Sequence, residues 1–174
     1  MKKIIVILLL VSALCGVIHA TDINMDGRFS AGYLRDFYCA SGYRYHTDCF
    51  SVSMGTDLLA EPVKNIAVRT ELGFGANLIL GYGKRTYEFE HDPDSEMILY
   101  LGLFCGPVVK WHFTDLFSLR LSPGYVALPL GGAIGLDVSA EFAVSEKWSL
   151  AIDLIGYADL PFALYTNVAG VYRL

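Results

Sequence analysis

The sequence has little charge for its size. Only 18% of its 174 residues are Asp, Glu, Lys or Arg, whereas 54% are hydrophobic. An average soluble domain is about one quarter charged. The composition therefore argues against an ordinary soluble domain, because the surplus of apolar residues must face something other than one small core.

Long apolar runs and familiar catalytic motifs are also missing after residue 20. No run of 18 apolar residues occurs there, which excludes a transmembrane helix. Gly-x-Ser-x-Gly, His-x-Ser, Cys-x-x-Cys and phosphate-loop patterns are absent, so we expect no enzyme activity, catalytic residues, metal or cofactor. Residues 21–174 hold 11 basic and 18 acidic side chains, and this net charge of −7 argues against nucleic acid as a partner.

The first twenty residues have the pattern of an export signal. Lys2 and Lys3 precede the apolar run Ile4–Leu14, and Ala20 offers a small residue for cleavage. This predicts a cleaved signal peptide at 1–20 and a mature domain at 21–174. The alternative is a lipoprotein signal at Cys15, although Leu14 stands where a lipobox has Gly, Ala or Ser.

The mature chain shows period-2 alternation in segments of ten or more residues, the pattern of membrane barrel strands. Between Ile66 and Leu78, apolar residues alternate with small, polar or charged ones. Tight polar junctions at 61–64, 114–116 and 145–147 alternate with longer connections at 37–48, 81–96, 127–131 and 158–161. The predicted strands are 28–36, 49–60, 65–80, 97–113, 117–126, 132–144, 148–157 and 162–174. Pro107 predicts a bulge or a break in its strand.

Aromatic residues near the predicted strand ends suggest interfacial girdles. They are Trp111, Phe113, Phe117, Trp148, Tyr157, Phe162, Tyr165 and Tyr172. With the export signal, the eight alternating segments and the final strand ending Val171-Tyr172-Arg173-Leu174, the chain resembles the small eight-stranded outer-membrane proteins (OmpA transmembrane domains and OmpX-, OmpW- and Opa-like barrels). That class usually ends in Phe, where this chain has Leu174.

The resemblance implies an all-β fold, a transmembrane antiparallel up-and-down β-barrel of eight strands. It also implies an integral location in the bacterial outer membrane. Membrane lipid and the barrel-assembly machinery, reached through the C-terminal strand, would be its partners. Extracellular or host ligands are further partners that the resemblance allows.

If the apolar face meets lipid, the other face fills the lumen, which in eight strands is about wide enough for side chains alone. The inward positions carry charges of both signs. The predicted lumen ion network is Arg69, Glu71, Lys110, Arg120, Asp137, Glu141, Asp153 and Arg173, with Asp57 and His112 on the same face. Because buried charges need partners, we interpret this set as an internal plug. The alternative is a charged, selective pore.

The first long connection, 37–48, is rich in Tyr and Arg, residues typical of contact surfaces. We predict an external contact through Tyr38, Tyr43, Arg44 and Tyr45. Cys39 and Cys49 flank this segment and could form a disulfide; free thiols are the alternative. Cys105 lies in an apolar strand and is interpreted as unpaired and lipid-facing.

Three functional hypotheses follow. In the first, a plugged outer-membrane barrel serves as an envelope scaffold or a surface-contact protein through its external loops. In the second, the barrel is a narrow OmpW-like conduit for small or hydrophobic solutes. In the third, it is a soluble lipocalin-like binding barrel, which would place its apolar face inside.

Overall fold

The chain forms eight antiparallel strands that pair in sequence order into one closed barrel. A computed structural model describes residues 23–40, 43–61, 68–88, 94–128, 131–157 and 162–174. The strands are β1 Ile23–Ala40, β2 Tyr43–Ala60, β3 Arg69–Tyr87, β4 Asp94–His112, β5 Phe117–Leu128, β6 Gly131–Ala143, β7 Trp148–Tyr157 and β8 Phe162–Arg173. No helix within these ranges is long and apolar enough to cross a membrane. The predicted signal peptide lies outside the described residues.

Burial alternates along most of each strand as the pleat requires. In β3, every odd-numbered residue from Glu71 to Ile79 is buried, while the intervening apolar residues are partly exposed on the outer surface. The sequence predicts the same alternation of inward and outward side chains for β5, β6 and β7, and the burial of their residues confirms it. The outer surface is therefore apolar and the predicted charged residues lie in the lumen, which is the reverse of a lipocalin.

The register sets the tilt of the strands. Following the paired residues around the barrel from Ile23 leads back to β1 at Tyr33, ten residues beyond the start. In an eight-stranded barrel this stagger corresponds to a tilt of roughly 40°. The lumen is then narrow enough for side chains to fill.

Aromatic residues ring both ends of the apolar outer surface. At the end closed by the short turns 113–116 and 144–147, hereafter the short-turn end, Phe117 stacks between Phe113 and Phe142, and Trp148 contacts Tyr172. At the opposite end, exposed rings include Tyr33, Phe50, Tyr82 and Tyr125. Tyr165, predicted for a girdle, is instead fully buried in the lumen, because its position in β8 points inward.

Four strands are much longer than the other four. β1 to β4 have 18, 18, 19 and 19 residues, whereas β5 to β8 have 12, 13, 10 and 12. The upper ends of these four strands, residues 35–40, 43–48, 83–87 and 94–101, form a four-stranded sheet, hereafter the arm. It extends beyond the shorter strands except at residues 35–37, where β1 still pairs with β8. The predicted loops 37–48 and 81–96 are therefore wrong in their bounds. Outside the lipid neither face of a strand has to be apolar. The alternation of apolar and polar residues is therefore lost there, although the backbone pairing between strands continues.

Pro107 interrupts the pairing of β4 with β5 without changing the register. Pairs are present at Cys105↔Tyr125 and Val109↔Leu121 and absent between them. Pro123 stands opposite Pro107 in this register, and neither residue has an N–H to donate. The result is a break rather than a bulge, because both strands contribute the same number of residues to the gap.

Candidate functional site: the filled lumen and the arm

Arg120 lies at the centre of a buried ion network in the half of the lumen nearer the short-turn end. Its Nε and Nη2 donate to the two carboxylate oxygens of Asp57 at 2.6 and 2.9 Å. Its Nη1 donates to Asp137 Oδ2 at 2.5 Å. All three side chains are almost completely buried. The guanidinium thus bridges β2, β5 and β6 across the barrel interior.

Arg28 forms a second cross-barrel bridge beside the first. It donates to Glu141, to Asp153 Oδ1 at 2.7 Å and to Ser139 Oγ at 2.9 Å. Neither Arg28 nor Asp26, its neighbour on the same face, was included in the predicted network. The predicted first strand begins at residue 28, so it excludes Asp26. Within that strand the inward Leu34 and the outward Arg35 interrupt the alternation that would assign Arg28 to the lumen.

A third group closes the network near the short-turn end. Lys110 Nζ lies 2.7 Å from Asp26 Oδ2 and 2.6 Å from Glu141 Oε2. Arg173 contacts Asp26 and Glu71, at 3.0 and 2.8 Å.

Glu71, which is fully buried, accepts two further contacts at the rim of the same group. His112 Nε2 lies 3.0 Å and Arg69 Nη2 3.1 Å from its carboxylate oxygens. Arg69 also contacts Glu61, and its side chain is 48% exposed. Arg69 therefore belongs to the rim of the network rather than to its centre.

The network brings together all eight predicted lumen residues. Six carboxylates (Asp26, Asp57, Glu71, Asp137, Glu141 and Asp153) face five permanent cations (Arg28, Arg69, Lys110, Arg120 and Arg173) and the imidazole of His112. Near balance of charge with hydrogen-bonded pairing is what a buried ionic layer requires. The arrangement fills space and holds opposite walls of the barrel together.

Above the ionic layer, toward the arm, the lumen is closed a second time by apolar side chains. The buried cluster comprises Leu34, Cys49, Ile79, Phe104, Val126, Ala133, Ile155 and Tyr165, with Ile98 and Tyr100 packed against it. On β3 it begins eight residues beyond Glu71, and on β1 six residues beyond Arg28. The sequence indicates part of this apolar cluster, because β4 is apolar on both faces near its upper end.

A cavity of about 490 Å³ opens at the short-turn end. Its lining includes Asp26, Lys110, His112, Arg173 and the turn residues Asp115 and Glu146. The ionic layer forms its floor. Within the described part of the chain, no group of three or more His, Cys, Asp or Glu side chains is arranged to hold a metal ion.

The inner face of the arm carries an ordered group of polar and aromatic side chains. The Arg85 guanidinium lies 4.6 Å from the ring centroid of Tyr45, and Tyr45 meets Tyr87 edge to face at 5.8 Å. The Tyr87 hydroxyl donates to Glu96 at 2.6 Å. Burial opposes the charge of Arg85, but its hydrogen bond with Tyr87 and the attraction of nearby groups outweigh this and raise its pKa above the ordinary value.

The residues predicted for an external loop contact lie in strands of the arm. Tyr38 lies two residues before the end of β1 and Tyr43 begins β2, and their side chains lie outside the described set. Tyr45 occupies the inner face of β2 with Thr47, whereas Arg44 is exposed on the outer face. Of the contact residues whose side chains are described, Arg44 and Tyr45 therefore lie on opposite faces of one sheet.

The predicted Cys39–Cys49 disulfide is wrong. Cys49 is a free, buried thiol in the apolar cluster. In the register Cys39 pairs with Arg44, five residues along β2 from Cys49. At about 3.3 Å per residue the separation is roughly 16 Å, well beyond the ~7 Å over which two Cα atoms can be bridged.

We expect a reducing agent to leave the free energy of unfolding unchanged, because no bond spans residues 39 and 49. The measurement is urea unfolding of the refolded protein with and without dithiothreitol, followed by tryptophan fluorescence. A loss of about 2 kcal/mol or more on reduction would contradict the register of β1 and β2.

Comparison with solved structures finds matches at low identity, each with a TM-score below 0.5. One is Ail, the attachment invasion locus protein of Yersinia pestis, solved with the heparin analogue sucrose octasulfate: 12% identity, TM-score 0.47, covering 86% of this chain and 99% of that one. The translocator domain of the autotransporter NalP from Neisseria meningitidis has 10% identity and a TM-score of 0.40, covering 95% and 93%. The KdgM porin in complex with disordered oligogalacturonate has 12% identity and a TM-score of 0.35, covering 86% and 98%.

No protein-family model matches the sequence, and no curated protein matches it significantly. By its own geometry, the chain is a small, closed, antiparallel eight-stranded β-barrel with an apolar exterior, an ionic and apolar interior, and a projecting arm.

Proposed function

We propose that the protein is an integral outer-membrane barrel whose lumen is plugged and whose arm makes contacts outside the membrane. The apolar outer surface bounded by two aromatic rings supports the membrane location, since it matches the lipid-facing band of such barrels. The observation that carries the plug is the double closure of the lumen. Arg120, Phe104 and Leu34 are each at most 2% exposed.

The arm supports a role in contact. Its strands extend past the ring formed by Tyr33, Phe50 and Tyr82. The next outward residue on β1, β2 and β3 is then charged, namely Arg35, Asp48 and Lys84. The residues of the arm that lie beyond the apolar band are not needed to cross the membrane. A conduit is less well supported, because a solute would have to pass both the apolar cluster and the ion network.

We expect the refolded mature protein to be silent in a planar lipid bilayer, because the side chains of both layers leave no continuous path. The measurement is single-channel conductance, with heat-modifiable migration on a detergent gel confirming that the inserted material is folded. Steady, reproducible steps from the folded form would reject the plug and favour the conduit.

A further inference from the structure

The upper part of β4 has a strand partner on one side only. Its pairing with β3 runs over the whole strand, up to Tyr87↔Asp94. Its pairing with β5 begins only at Leu103↔Ala127. Residues 94–102 therefore present an open edge within the described structure.

The open edge can be assigned to particular backbone groups. In an antiparallel pair, alternate residues exchange both N–H···O bonds with the opposite strand. The gap centred on Pro107 and Pro123, with pairing on both sides at Cys105 and Val109, identifies the odd-numbered residues of β4 as those that bond toward β5. The N–H and C=O groups of Ser95, Met97, Leu99 and Leu101 consequently point toward the open side.

Met97, Leu99 and Leu101 are apolar, whereas the outer face of the neighbouring arm strands β2 and β3 is polar. Leu99 is 76% and Met97 58% exposed, and Leu99 is the most exposed of the large hydrophobic residues described. Met97 pairs with Lys84 of β3, so it lies beyond the apolar band. Natural edge strands are usually protected by Lys, Pro or bulges, and residues 94–102 contain neither Lys nor Pro.

The inner face of the same edge is acidic. Asp94 and Glu96 are exposed, and Glu96 lies at the margin of the arm beside Arg85 and Tyr87. An incoming strand would place one row of side chains against Met97 and Leu99 and the alternate row against these carboxylates. The first row would be apolar and the second basic.

We propose that the open edge of β4 binds an extended polypeptide segment in which apolar residues alternate with basic ones, adding a fifth strand to the arm. Backbone bonds to Ser95, Met97, Leu99 and Leu101 supply affinity, and the alternating side chains supply selectivity, as in other cases of strand addition. The proposal rests on the proposed function, because the edge must lie outside the bilayer to receive a peptide.

The test uses Leu99→Pro. The Leu99 N–H points to the open side, so proline removes an edge donor while the β3–β4 ladder keeps its bonds. The probe is a fluorescent eight-residue peptide of alternating Val and Lys, titrated onto the full barrel in zwitterionic nanodiscs, with a Val–Glu peptide as comparison. Leu99→Thr is the matched control, since it shortens the apolar side chain but keeps the N–H.

We expect saturable binding of the Val–Lys peptide to the native barrel and weaker binding of the Val–Glu peptide. Leu99→Pro should lower the affinity at least about tenfold, and Leu99→Thr by clearly less. Glu96→Lys should reverse the preference between the two peptides. Equal binding to the native and Leu99→Pro barrels, or no saturable binding to the native barrel, would overturn the proposal. Single-channel conductance distinguishes failure of the plug from failure of strand addition. A barrel that conducts but still binds the peptide refutes only the plug. A barrel that is silent and does not bind the peptide refutes only the strand addition.

Discussion

Replacing Arg120 with alanine is expected to lower the free energy of unfolding by about 3–5 kcal/mol. The guanidinium makes hydrogen-bonded contacts with both Asp57 and Asp137, and all three side chains are buried. Removing it leaves two carboxylates in the lumen without their main partner, and an uncompensated buried charge is strongly destabilising. The measurement is urea unfolding of the refolded barrel in lipid vesicles, followed by tryptophan fluorescence.

Arg69→Ala is the matched control for this experiment. Arg69 also contacts two carboxylates, Glu61 and Glu71, but it lies half exposed at the rim. Exposed ion pairs contribute only about 0–1 kcal/mol. Equal losses at the two positions would show that burial in the lumen does not determine the strength of the network. Arg120→Ala should not open a conducting path, because the apolar cluster above it remains.

Gly73→Ala is expected to produce a comparable or larger loss. A Cβ atom built on Gly73 would lie 1.8 Å from the carbonyl oxygen of Leu58 and 2.8 Å from its carbonyl carbon. These are backbone atoms of the neighbouring strand β2, so they cannot move aside as a flexible side chain could. Overpacking usually costs about 1–3 kcal/mol, and we expect at least the upper end of this range. The measurement is the fraction of protein that refolds to the heat-modifiable form, together with its unfolding free energy.

Gly156→Ala provides the comparison, because a Cβ atom there would meet nothing within 4 Å. The same chemical change should leave refolding intact, with an effect within about 0.5 kcal/mol. If both glycine variants refolded equally well, the close approach of β2 and β3 at Gly73 would be refuted.

Much of the barrel follows from the sequence because a strand places successive side chains on opposite faces. Glu71 and Leu72 are adjacent in sequence, and this alternation alone predicts that the first faces the lumen and the second the exterior. The same argument identified Arg120, Asp137, Glu141 and Asp153 as lumen residues. It also indicated eight strands and located the tight turns at 114–116 and 145–147.

Which of these charges pair with each other depends, by contrast, on the register and stagger of the strands. Both are determined by contacts between strands that are remote in sequence. Arg28 meets Glu141 and Asp153 only because the walls of a narrow closed barrel face each other across the lumen.

The predicted disulfide failed for a related reason, since Cys39 and Cys49 are close in sequence but are separated along a continuous hairpin. The sequence does not predict the arm either, because backbone pairing needs no apolar face once the strands leave the lipid. Alternation thus determined which way each side chain points, and only the closed tertiary structure decided what it meets.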